Sequence, residues 1–222
     1  MRRANSNEAR FALPRVYPIL DTATLGARRL TPLDAARAII EGGGRILQLR
    51  HKEGFTRALF EEAARVAAYC AEAGVMFVMN DRADLARLLN AGLHVGQEDL
   101  LPSDARRVLG GELPLGYSTH NLKQLREGAA EPVDYLAIGP IFGTVNKQNP
   151  DPMVGLEPLR LIAESAGHPV VGIGGVTLEN AQRLFDVGIA SAAIIGDLYA
   201  LGDTAGDIRR RMTQWSDLYP HG

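Results

Sequence analysis

Val75-Met76-Phe77-Val78-Met79-Asn80-Asp81-Arg82 is a short apolar run that stops on an amide, an acid and a base. After a helical stretch over 82–91 the form returns, in Leu93-His94-Val95-Gly96-Gln97-Glu98-Asp99. Two such runs around one helix make a strand–helix–strand unit, which requires parallel pairing and a right-handed crossover. The acids that end the two strands, Asp81 and Asp99, then fall on the same edge of a sheet.

The same alternation extends in both directions. Strands are predicted at about 16–20, 45–50, 75–79, 93–96, 114–117, 134–138, 169–173 and 191–195. Helices are predicted near 32–41, 55–73, 82–91, 102–109, 121–129, 156–166, 178–187 and 197–213. Thr31-Pro32, Ser103 and Thr177 read as helix starts, and Gly42, Gly74, Gly92 and Gly188 as helix ends. This pattern predicts a single-domain (β/α)8 TIM barrel over 15–222, behind a flexible N-terminal leader at 1–14. An open doubly wound sheet is the competing architecture. The loop from Phe142 to Val154, rich in Gly, Asn and Pro, is the one long enough to act as a lid.

Composition narrows the class. The chain has 222 residues, 46% hydrophobic and 23% charged, with a formal net charge of −2. That balance offers no basic surface for nucleic acid and no polybasic patch for a membrane. No apolar stretch approaches the roughly 18 residues of a membrane span, and Met1 to Pro14 lacks the apolar segment of a signal peptide. Cys70 is the sole cysteine and reads as a packed core thiol, so the expected location is cytoplasmic. Homo-oligomerisation is left open.

In Arg45-Ile46-Leu47-Gln48-Leu49-Arg50-His51-Lys52, alternation puts Gln48, Arg50 and Lys52 on one face and His51 on the other. Inside a barrel two cations need anions. A diphosphate would serve, as would neighbouring carboxylates. Asp81 and Asp99 could hold a hard magnesium ion, or each could cap the helix that follows it. Gly172-Ile173-Gly174-Gly175 and Ile195-Gly196 end strands seven and eight, where barrels often bind phosphate. Ser118 and Thr119 could meet a ligand or cap a helix, His120 could act as an acid or base or simply start that helix, and Lys147 lies in the long loop.

Taken in order, these landmarks resemble the thiamine phosphate synthase family: Tyr17-Pro18-Ile19-Leu20-Asp21, Gln48 to Lys52, Asn80-Asp81-Arg82, His94 to Asp99, Ser118-Thr119-His120, Gly139 to Phe142, Lys147 and Gly172 to Gly175. The resemblance implies a barrel that joins hydroxymethylpyrimidine diphosphate to a thiazole phosphate, releasing pyrophosphate. It implies Gln48, Arg50, Lys52, Asn80, Ser118 and Lys147 around the pyrimidine diphosphate, with Arg50, Lys52 and Lys147 as the catalytic cations. It assigns Mg2+ to Asp81 and Asp99, and the thiazole phosphate to Thr144, Asn146, Gly175, Ile195 and Gly196. Three departures from the family pattern stand out: His51 for an acid, Asn146 for Thr or Ser, and Gly196-Asp197 for Ser-Ala. A thiazole tautomerase-like relative and a non-catalytic phosphate-binding barrel are the alternative functions.

Overall fold

A computed structural model describes residues 12–143 and 153–220. Eight parallel strands close into a barrel in chain order, β1 pairing with β8. They are β1 Val16–Asp21, β2 Ile46–Arg50, β3 Met76–Asn80, β4 Gly92–Val95, β5 Leu115–Thr119, β6 Tyr135–Ile138, β7 Val170–Gly172 and β8 Ser191–Ile194. The barrel, not the open sheet, is the architecture.

The helices around it are α1 Thr22–Ala27, α2 Pro32–Glu41, α3 Arg57–Glu72, α4 Ala83–Leu88, α5 Pro102–Leu109, α6 Leu122–Gly128, α7 Glu157–Ser165, α8 Gln182–Asp186 and α9 Ala205–Leu218. Thr31 caps α2 as expected, accepting from the Asp34 amide with Pro32 in the first turn. Such a cap is worth about 1 kcal/mol.

Some punctuation differs from the sequence reading. Ser103 lies inside α5, whose cap position is Leu101. Gly92 begins β4, and Asn90, at φ 51°, is the left-handed residue after α4. The helix expected at 197–213 is two elements, a 3-10 turn Gly196–Tyr199 and then α9, separated by Gly202 at φ 141° and the Thr204–Asp207 capping box. Helix α1 was not anticipated; Asp21 caps it by accepting from the Thr24 amide at 2.9 Å.

Alternation divides the core in two. Outward strand residues such as Leu20, Leu47, Leu49, Leu93 and Leu136 pack against the helices, and Cys70 lies buried among them. Inward residues Tyr17, Ile19, Ile46, Val78, Tyr135, Ala137, Val171 and Ala193 fill the barrel itself. Leu13, placed in the leader by the sequence reading, packs against this inner set from below. Among the described residues no helix is long and apolar enough to cross a membrane.

Candidate active site

The inward positions become polar toward the C-terminal ends of the strands. On β1 to β5 they end in Asp21, Arg50, Asn80, His94 and Ser118, brought side by side by the register Asp21↔Arg50 and Asn80↔His94. A cavity of about 690 Å³ lies at the opposite end, among Leu13, Arg15, Arg45 and Phe185. None of these strand-end residues lines it, and barrel chemistry belongs to the C-terminal face.

Both cations of strand two have carboxylate partners. Arg50 is ion-paired with Asp21, and Lys52 Nζ stands 2.6 Å from Asp81. Lys52 lies past the end of β2, so its position comes from this pair rather than from strand alternation. Burial pushes the Asp21 carboxyl up, but the Thr24 amide and hydroxyl and the Arg50 guanidinium outweigh it and hold it below its usual range. His51 faces outward as expected, bonded to Thr22 Oγ1 at 2.7 Å and edge-on to Phe55.

Asp81 sits at φ 66°, a region costly for a residue with a side chain. Its amide donates to His94 O at 2.8 Å, and the Arg82 amide turns back to Asn80 O at 2.8 Å, closing a three-residue turn around it. The helix-cap reading fails for both acids: α4 has Arg82 at its cap and α5 has Leu101, each without a side-chain cap bond. Asp99 instead accepts from the Gly96 amide at 2.7 Å. Burial raises the Asp81 carboxyl above its ordinary range, Lys52 opposes, and a contact with the Asp99 carboxylate raises it further. A neighbouring carboxylate that raises the cost of ionising Asp81 is an arrangement a divalent cation would relieve. Among the described residues no group of three or more His, Cys, Asp or Glu side chains is placed to hold a metal ion, so a cation at the mouth would draw at most this pair from them. That suits magnesium, which keeps waters and substrate oxygens in its shell. Beside the pair, the buried Asn80 Nδ2 has no hydrogen-bond partner among the described residues, which a ligand would supply.

Below the mouth runs a buried polar chain. Gln48 Nε2 stands 3.1 Å from Tyr17 Oη, which is 2.7 Å from Tyr135 Oη. Tyr135 Oη is 3.2 Å from His94 Nδ1, and His94 Nε2 is 2.7 Å from Ser118 Oγ. Burial holds the imidazole down to about 4, with Asp99 pulling upward and Lys52 downward. The helix-cap alternative for Ser118 and Thr119 fails too, because Asn121 caps α6 and Thr119 Oγ1 donates to Ala137 O. His120 bonds the Gly139 carbonyl through Nδ1 at 3.1 Å.

On the far side, Gly174 and Gly175 take φ 98° and 64° and lie against the backbone of Pro140 to Gly143. A Cβ on Gly175 would come within 2.3 Å of Gly143 O, so only glycine permits that approach. Asp197, the departure after strand eight, turns away from the mouth: Arg211 reaches it at 2.9 and 2.8 Å and Trp215 Nε1 at 2.7 Å. Arg211 also reaches Glu179 at 3.2 Å, so one guanidinium ties the loops after β7 and β8 to α9. Thr144, Asn146 and Lys147, with most of the expected lid, lie outside the described residues.

Sequence reasoning gave no role to Asp21, Tyr17, Tyr135 or His94. The signal was the one used for β2: Tyr17, Ile19 and Asp21 share the inward face of β1, and Asp21 is a third acidic strand end.

A (β/α)8 barrel with a carboxylate pair and two tethered cations at its C-terminal mouth is of the phosphate-handling class. The family model described as thiamine monophosphate synthase matches residues 16–198. A thiamine-phosphate synthase of Koribacter versatilis is 44% identical over 189 residues, covering 84% of this chain and 89% of that one. Another, of Syntrophomonas wolfei, is 35% identical, covering 90% and 95%. The solved thiamine phosphate pyrophosphorylase of Pyrococcus furiosus superposes with TM-score 0.78 at 30% identity, over 92% of this chain and 95% of that one. The chain belongs to the thiamine monophosphate synthase family.

Proposed function

We propose that this chain condenses hydroxymethylpyrimidine diphosphate with hydroxyethylthiazole phosphate, giving thiamine phosphate and pyrophosphate, as a cytoplasmic magnesium-dependent enzyme. The observation that carries the reading is the Asp81–Asp99 carboxylate pair beside Lys52 at the mouth of a barrel of this family.

Gln48, Asn80 and Ser118 hold the pyrimidine, and Arg50, Lys52 and Lys147 take its diphosphate. The C–O bond to the diphosphate breaks with its electron pair leaving on pyrophosphate, and the ring amine stabilises the carbon left behind. The thiazole nitrogen then forms the C–N bond, so the step needs little general base. Charge neutralisation on the leaving group is the main requirement. Magnesium held by Asp81 and Asp99 would supply part of it. Asp21 and Asp81 keep Arg50 and Lys52 at the mouth before substrate arrives, which lowers the reorganisation needed. Gly175, Ile195 and Gly196, with Thr144 and Asn146, place the thiazole phosphate. Asp197 adds no charge there, since its carboxylate is paired with Arg211. A thiazole tautomerase would have no use for the acid pair.

The test is Asp81→Asn. Magnesium-dependent pyrophosphate release should fall on the order of 10²-fold, with an unchanged circular dichroism spectrum. An unaffected rate would overturn the assignment.

A further inference from the structure

We propose that His94 is a positioning residue: from inside the barrel it fixes the direction of the Ser118 hydroxyl, so that Ser118 offers a donor and Gln48 an acceptor to the bound heterocycle. The identity of that heterocycle rests on the function proposed above; the direction of the chain does not.

The argument is one of counting hydrogens. Gln48 Nε2 donates to Tyr17 Oη. The single Tyr17 hydrogen then has one acceptor among the described residues, Tyr135 Oη at 2.7 Å. Tyr135, accepting from Tyr17, can then donate its own hydrogen to His94 Nδ1 at 3.2 Å. A neutral imidazole has one N–H. With Nδ1 accepting, that N–H is on Nε2 and donates to Ser118 Oγ at 2.7 Å. The Ser118 hydrogen is thereby turned away from His94. No other described residue bonds Ser118 Oγ, and Ser118 is half-buried at the mouth, so its hydrogen faces the site.

Reversing any single link would set two hydrogens against each other or leave a buried donor unpaired, so the links switch only together. Among these five side chains a second satisfied arrangement turns the Gln48 amide over and reverses every donor, leaving Ser118 as an acceptor. The packing holds the chain rigid: the His94 and Tyr135 rings stack at 5.5 Å and 25°, over a glycine whose Cβ would fall 2.1 Å from Tyr135 Cζ. An independent sign of a ligand lies alongside. Asn80, 8% exposed and paired in register with His94, leaves its Nδ2 without a partner among the described residues. An aminopyrimidine matches this polarity, because its ring nitrogens accept and its exocyclic amine donates.

The experiment reads the His94 tautomer directly, by two-bond 1H–15N correlation of the imidazoles in 15N-labelled full-length protein at neutral pH. His94→Asn assigns the signal among the five histidines. The expected result is the Nε2–H form. The Tyr135→Phe variant, which removes the donor to Nδ1, should mix the tautomers. It should also raise KM for the pyrimidine diphosphate about tenfold while leaving KM for the thiazole phosphate unchanged. Tyr17→Phe serves if Tyr135→Phe does not fold. An Nδ1–H tautomer in the parent would overturn the proposal, as would a folded variant in which neither tautomer nor KM moves. The tautomer is read without substrates, so this failure is distinct from a failure of the synthase reading.

Discussion

Replacing Arg211 by Met tests how the phosphate side of the barrel is held together. Arg211 and Asp197 face each other with side chains only 7% and 3% exposed, joined by two bonds of 2.9 and 2.8 Å. Removing the guanidinium leaves a buried carboxylate with Trp215 Nε1–H as its remaining donor. Breaking a buried pair in this way costs about 3–5 kcal/mol. In a chain of this size that lowers the melting temperature by roughly 10 °C, and the urea midpoint with it. Adding Asp197→Asn neutralises the stranded charge and still accepts from Trp215. The double variant should therefore return to within about 2 kcal/mol of the parent, because deleting both charges is far cheaper than deleting one. Urea unfolding of parent, both single variants and the double variant gives the coupling energy. A loss under about 1 kcal/mol in Arg211→Met, or a double variant no better than the single, would refute the reasoning. The same guanidinium ties Glu179 to Asp197, so Arg211→Met should also raise KM for the thiazole phosphate and spare that for the pyrimidine.

Acid should weaken the fold through His94. Its imidazole is near 6.5 when unfolded and about 4 when folded, so the unfolded chain binds the extra proton between those values. The stabilisation is complete above pH 6.5 and lost as pH falls toward 4, by about 3 kcal/mol, and His94→Asn should flatten that part of the urea-midpoint profile. An unchanged slope in the variant would contradict the assignment. Gly116→Ala should cost at least about 1–3 kcal/mol, since its Cβ would lie 2.1 Å from Tyr135 Cζ and 2.5 Å from His94 Nδ1. Calorimetry checks it, and a melting temperature equal to the parent's would show that the barrel interior yields.

The barrel was legible because parallel strands covered by helices leave apolar runs of fixed length, and eight of them fit one closed sheet. What local pattern could not show was tertiary competition. Ser103 and Gly92 carry the right chemistry for a helix boundary, but packing places the boundary elsewhere. Asp81 and Asp99 were visible as strand-end acids; that they face each other instead of capping helices depends on the turn at Asp81. Asp197 was visible only as a departure from the family pattern; that Arg211, from a different helix, covers it is a tertiary fact. The inner chain from Gln48 to Ser118 joins five strands, and sequence spacing carries no record of which inward residues meet at the axis.

The most direct test of the account is a two-substrate assay on the purified chain. With hydroxymethylpyrimidine diphosphate, hydroxyethylthiazole phosphate and magnesium, pyrophosphate and thiamine phosphate should be released one for one, and chelating the metal should stop both. No pyrophosphate with both substrates present, or a metal-independent tautomerisation of the thiazole in its place, would contradict it.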